Sequence, residues 1–152
     1  MLGLLHAIPE NGLKARASSS SPSVAAMFSH ICYLRLALVC ESDPEFGAQH
    51  PEMVPSDDDE WLEEHDLGRM TEKLSHSAKV LRDAVKRWVE TGQSVKAGSP
   101  GYEHPILLLQ HMIWHEGYHV GQMKLALKLT GIPMSDKDAG SVTWSIWWKH
   151  QN

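Results

Sequence analysis

The chain has 152 residues, 42% of them hydrophobic and 22% charged, with a formal net charge of −5, a profile that suits one compact domain and excludes a disordered chain. A domain of this length removes roughly 70% of its unfolded surface from water, so neither disulfide nor metal is needed to hold it together and any metal points to function. With 19 Asp and Glu against 14 Lys and Arg and no basic stripe, the chain offers a nucleic-acid backbone no counterion-release term, which excludes that class of partner.

Met1 to Arg16 is a short apolar piece broken by Pro9 and Gly12. It lacks the basic start of a secretion signal, and Pro9 interrupts it before an apolar core of signal length forms. Little core is expected from it. Ala17 to Ser21 reads as a flexible linker, so residues 1–20 are expected to be an N-terminal segment with its linker and residues 21–152 the domain proper. The first clear helix opens with Ser21 as N-cap and Pro22 at its first position. It carries Val24, Met27, Phe28, Ile31, Leu34 and Leu38 at three-to-four-residue spacing and ends near Cys40. Asp43 to Ser56, with three prolines and a glycine, reads as an irregular loop of the kind that covers a site.

A long helix is expected to start in the acidic run Asp57 to Glu60, to carry Leu67, Met70, Leu74, Leu81, Val85 and Trp88 inward, and to stop at Thr91-Gly92. After a Gly/Ser/Pro stretch from Gly98 to Gly101, a third helix runs from Pro105 to Thr130 with Gly131 past its end. The tail from Asp136, with Trp144, Trp147 and Trp148, reads as a short helical cap. No segment alternates with period two, so the fold is expected to be all-α, most simply a bundle. The longest apolar stretch, Ile106 to Leu129, contains three histidines, Glu116, Lys124 and Lys128, which argues against a membrane span and for a cytoplasmic protein. Cys32 and Cys40 lie eight residues apart on one helix, about 12 Å, beyond the roughly 7 Å that a disulfide spans.

Ten histidines are many for this length. His111, His115 and His119 recur every four residues along the third helix, and His115 and His119 share their side with Leu108, Met112, Gln122 and Ala126, residues that face a core. Two neutral imidazoles one turn apart on a rigid helix can grip one divalent cation, and a third ligand from another helix would leave an open, catalytic type of site. His30, in the middle of the first clear helix beside Met27 and Leu34, is the candidate third ligand. His111 is about 12 Å from His119 and is expected to stand outside the ligand set.

His115-Glu116-Gly117-Tyr118-His119 also spells the zinc-protease string in which the glutamate is the general base. The further ligands are missing: position 122 is Gln122 and position 125 Leu125, and no glutamate follows Glu116. Glu116 is retained as a candidate catalytic residue that positions a water, although it lies about 100° around the helix from His115. Arg35, on the apolar face of its helix, is expected to snorkel or to pair with a carboxylate.

The segment Pro22 to Arg35, with its single inward His30, and the segment His111 to Gln122 together resemble the DinB/YfiT-like metal-dependent enzymes, four-helix bundles of the damage-inducible type. The resemblance covers about Ser21 to Trp148. It implies that His30, His115 and His119 hold a divalent metal, zinc or nickel, with His111, Tyr118 and Gln122 beside the substrate or behind the ligands. Relatives of this kind include thiol S-transferases and isomerases using bacillithiol, mycothiol or glutathione, so the implied activity is transfer to a metal-activated low-molecular-weight thiol. The alternatives are a non-catalytic, dimeric, stress-related metal-binding module and a metal-dependent hydrolase. The family begins with a full-length helix, whereas about 14 residues precede the serine run here. A different start, an incomplete bundle or a partner subunit over the open groove would each account for that, and since members commonly dimerise a homodimer acting on a small molecule is expected.

Overall fold

The computed structural model describes residues 1–95 and 101–148. Residues 98–100 of the expected Gly/Ser/Pro connection and the last four residues of the tail lie outside the described residues. Among the described residues the regular structure is helical: α1 (Leu2–Ala7), α2 (Val24–Ser42), α3 (Pro44–Gln49), α4 (Leu67–Thr91), α5 (Pro105–Leu129) and α6 (Asp136–Val142), with tight 3₁₀ turns between them. Extended pairing among them is limited to two isolated bridges, Arg16 with Ser23 and Val95 with Tyr102.

The three long helices form the frame. α2 and α4 run parallel, since Arg35 meets Leu74 and Ser77 near their middles and Asp43 meets Arg87 at their far ends. α5 runs against both: Met27 and Phe28 share a core with Met123 and Leu127, whereas Leu38 and Val39 share another with Leu108 and Met112. The fourth place of a bundle is held by short pieces, α1 and α6, which pack on each other, with α1 also on α4. The shortened first helix and the short C-terminal cap, which continues as a 3₁₀ turn over Trp144–Trp148, are therefore both present.

The N-terminal segment contributes far more core than its broken pattern suggests. Leu4, Leu5 and Leu13 are fully buried and Ile8 nearly so, packed in the cluster that holds Phe28, Met70 and Met123. Pro9 and Gly12 do not end its packing. They turn the chain between α1 and a 3₁₀ turn (Glu10–Lys14) and so present leucines on both sides of the turn to one core. Replacing Leu13 by alanine is expected to cost about 3 kcal/mol and to lower the melting temperature by about 6–12 °C, as for a buried leucine in any core. A melt within 2 °C of the parent would show this segment to be ornamental. The serine run is not a loose tether either: Ser18 bonds Ser21 between hydroxyls, and Arg16 donates to the Ser21 carbonyl.

Helix boundaries differ from the expected ones for identifiable reasons. Ser21 is occupied by those two contacts, so the N-cap of α2 is Ser23, whose hydroxyl accepts from the Ala26 N–H at 3.0 Å. Asp43 both ends α2 and caps α3, accepting from the Phe46 N–H at 2.9 Å, with Pro44 at the first helical position. The expected irregular loop thus opens with a helix, because Asp-Pro is a starting signal as well as a breaker. In the acidic run, a capping box of Ser56 and Asp59 forms only one 3₁₀ turn. α4 starts eight residues later, with Asp66 accepting from the Arg69 N–H. At its other end Gly92, at φ +68°, lets the Gln93 N–H return to the Trp88 carbonyl.

α2 is long and apolar enough to cross a membrane by length and composition, but 67% of that stretch is buried inside the fold, as befits a central core helix. Its two cysteines are unpaired, and burial pushes both thiols up.

Candidate metal centre

Between the two apolar clusters the bundle has a polar layer. The sequence sets it by placing His30 in α2 and His115 and His119 in α5 on the facing sides of antiparallel helices, the last two one turn apart. The Nε2 atom of His115 lies 3.1 Å from that of His30 and 3.1 Å from that of His119. Donor atoms of all three rings fall within 4.8 Å of one another, a group able to hold a metal ion.

The donor set fits such an ion. Metal–nitrogen bonds of about 2.1 Å place two ligand nitrogens about 3.0 Å apart at a right angle and about 3.4 Å apart at the tetrahedral angle, which brackets the observed 3.1 Å. Without a shared cation or proton, three imine lone pairs at this spacing repel one another. Burial, and then the neighbouring His119, hold His30 at about 4. Burial, followed by His119 and His30, does the same to His115, also at about 4, and burial lowers His119, with the Gln122 side chain opposing. At neutral pH the three rings are uncharged donors, the form that metals bind.

These shifts set a pH dependence for the metal-free protein. Between the ordinary 6.5 and about 4 the unfolded chain takes up protons on His30 and His115 that the folded chain refuses, so stability is lost as pH falls through that window and levels off below it. Thermal melts of metal-free protein from pH 7.5 to 4.5 should show this slope, reduced in a His30→Ala variant. Parallel slopes in both proteins would mean that the ring titrates as in solution.

A cavity of about 750 Å³ opens above the three rings. Trp61 stacks on His30, ring centres 4.0 Å apart and planes 3° from parallel. Glu60 Oε1 stands 3.2 Å from Nδ1 of the same ring, in an oblique approach that makes no formed hydrogen bond. Tyr118 and Gln122 line the cavity with Trp114. Also lining it, Arg16 pairs with Glu63, whose other oxygen accepts from the Ser23 hydroxyl at 2.5 Å.

The candidate residues therefore separate. His30, His115 and His119 meet, with Tyr118 and Gln122 at the cavity wall. His111 stands apart, its Nδ1 against the Tyr102 hydroxyl and its ring 6.4 Å from that of His115, outside the cavity lining. Glu116, expected as a catalytic residue, is turned away from the cavity. Its Oε1 accepts from Arg35 Nη2 at 2.6 Å and Nε at 3.0 Å, while Arg35 Nη1 donates to the Leu74 carbonyl and the Ser77 hydroxyl. The 100° offset from His115 delivers it to a buried ion pair between helices, and Arg35 has the carboxylate partner anticipated for it.

Trp61, Glu60, Glu63 and Arg16 escaped the sequence reading. They lie in a non-helical strap and an N-terminal turn, where no periodicity assigns a facing direction. The one signal was a large aromatic in the middle of an acidic run.

The class that fold and site define is a helical bundle with three imidazoles converging beside an open cavity, a group able to hold a metal ion. Within it, the profile of the DinB family matches residues 1–149, and the chain belongs to that family. No curated protein and no solved structure matches the chain.

Proposed function

We propose that this chain is a divalent-metal protein of the thiol S-transferase type, in which His30, His115 and His119 hold zinc or nickel and a low-molecular-weight thiol is the co-substrate. The supporting observation is the meeting of three Nε2 atoms from two rigid helices at the base of a cavity large enough for a thiol and an electrophile together. Three neutral ligands leave a divalent cation its full charge and open positions, and such a cation lowers the pKa of a bound thiol or water and favours its anion.

The rest falls to the chain's own side chains. Burial keeps the ring nitrogens free of protons at neutral pH. The face of Trp61 fixes the plane of His30, and the Glu60 carboxylate beside Nδ1 can orient that ring once it turns into line. Arg35 keeps Glu116 out of the cavity. Gln122 and Tyr118 face the incoming substrate. The proposal includes a cytoplasmic homodimer.

The test is turnover of zinc- and nickel-loaded protein with bacillithiol, mycothiol and glutathione against a panel of electrophiles. Conversion that needs both metal and one of the thiols is the expected result. Silence with every thiol, from protein carrying one metal per chain, would favour a second reading, a non-catalytic dimeric metal-binding module, for which the exposed Ile113, Leu125 and Leu129 on α5 offer an apolar face.

A further inference from the structure

The cavity lining is of two kinds, and one of them is aromatic. Trp61 stacks on His30 and lies edge-on to His119 with centres 6.2 Å apart, Tyr118 lies edge-on to the same His119 at 5.2 Å, and Trp114 stacks on Tyr118 at 6.0 Å and 15°. The three rings are thus linked, through His119, into one aromatic series in the cavity lining. Packing does not account for it, because Trp114 is 67%, Tyr118 53% and Trp61 42% exposed. Three large rings held toward water around one cavity are the residues of a binding surface rather than of a core.

The polar part of the lining is already neutralised. Arg16 is held by Glu63 and by the Ser21 carbonyl, and Glu63 by Arg16 and the Ser23 hydroxyl. It offers hydrogen-bonding groups without a net charge to recruit a charged body. Away from the histidines, what the cavity distinguishes is shape and π surface. Ring faces and edges reward a flat, conjugated guest through offset stacking, a gain that a saturated guest of equal bulk does not share.

We infer that the substrate of this cavity has a planar, aromatic or conjugated body that stacks along Trp61, Tyr118 and Trp114, with an anionic or sulfur end directed to the histidines. The direction of that end rests on the metal reading above; the preference for a planar body does not.

The test compares 2-naphthoate with decahydro-2-naphthoate, which carry the same carboxylate on flat and saturated forms of one skeleton. Binding is measured by titration calorimetry on zinc-loaded and on metal-free full-length protein. The flat acid should bind about tenfold more tightly in both forms. Trp114→Leu and Tyr118→Leu, at exposed positions where the fold tolerates them, should each reduce that ratio about threefold, because leucine keeps apolar bulk for both acids and removes the ring that only the flat one stacks on. Equal affinities for the two acids would overturn the inference, as would a ratio untouched by both substitutions or binding of neither acid. A ratio untouched by substitutions that turn a dimer into monomers would assign the exposed rings to a subunit interface instead, and also overturns it. Zinc uptake is scored separately: a wild type that takes no zinc but still prefers the flat acid removes the metal reading and leaves this one standing.

Discussion

Replacing His115 with alanine is expected to take bound metal from about one equivalent per chain to below about 0.1 under dilute conditions, a loss of at least about 100-fold in affinity. Its Nε2 is the atom within 3.1 Å of both other ring nitrogens, so its removal leaves His30 and His119 on separate helices without the donor between them. Removing even an outer partner of a ligand typically costs 10–100-fold, and removing a ligand costs more. Metal analysis by inductively coupled plasma mass spectrometry on untagged wild type and variant reads the result directly. The fold should survive, since His115 is only partly buried and the clusters on either side do not use it, and circular dichroism checks this. A variant that keeps a full equivalent of metal would reduce the three histidines to a packed polar layer, and with it would go the thiol-transfer proposal.

The histidine group was legible in the sequence because periodicity carries direction. Four-residue spacing places His115 and His119 on one line, and the neighbours Leu108, Met112 and Ala126 reveal that this line faces inward. His30 was legible for the same reason, from Met27 and Leu34. The strap from Asp57 to Asp66 carried no such information. Its acidic composition suits a helix start, and Ser56 does build a capping box. Yet Tyr33 donates to Asp57 and Trp61 is stacked on His30, tertiary contacts that hold the strap across the bundle and defer α4 to Asp66. Local propensity lost there to contacts some thirty residues away in the chain. The N-terminal segment misled in the opposite sense. Pro9 and Gly12 erase the helical period, and without a period the burial of Leu4, Leu5 and Leu13 could not be read, although their hydrophobicity was plain. Both errors arise where side-chain direction is set by the fold rather than by the repeat of the backbone.

Breaking the Arg35–Glu116 pair from the arginine side is expected to be the most damaging single change to stability. Arg35 is 5% exposed, and its guanidinium satisfies Glu116, the Leu74 carbonyl and the Ser77 hydroxyl at once, tying all three long helices at the polar layer. Arg35→Met removes the charge, leaves the partly buried Glu116, 22% exposed, without its partner, and breaks the bonds to Leu74 and Ser77, together a cost of about 3–4 kcal/mol. The melting temperature should fall by about 8–15 °C. The double variant Arg35→Met with Glu116→Leu should recover most of the loss, because the larger part of the cost is the stranded carboxylate and not the missing attraction. Glu116→Gln separates this role from a catalytic one: it should lower the melting temperature while metal content, and any thiol-dependent turnover per bound metal, stay as in the wild type. Turnover abolished in a Glu116→Gln protein that still binds metal and melts normally would return the carboxylate to the reaction. A double variant no more stable than Arg35→Met would show instead that the hydrogen bonds to Leu74 and Ser77, and not the ion pair, are what fasten α2 to α4.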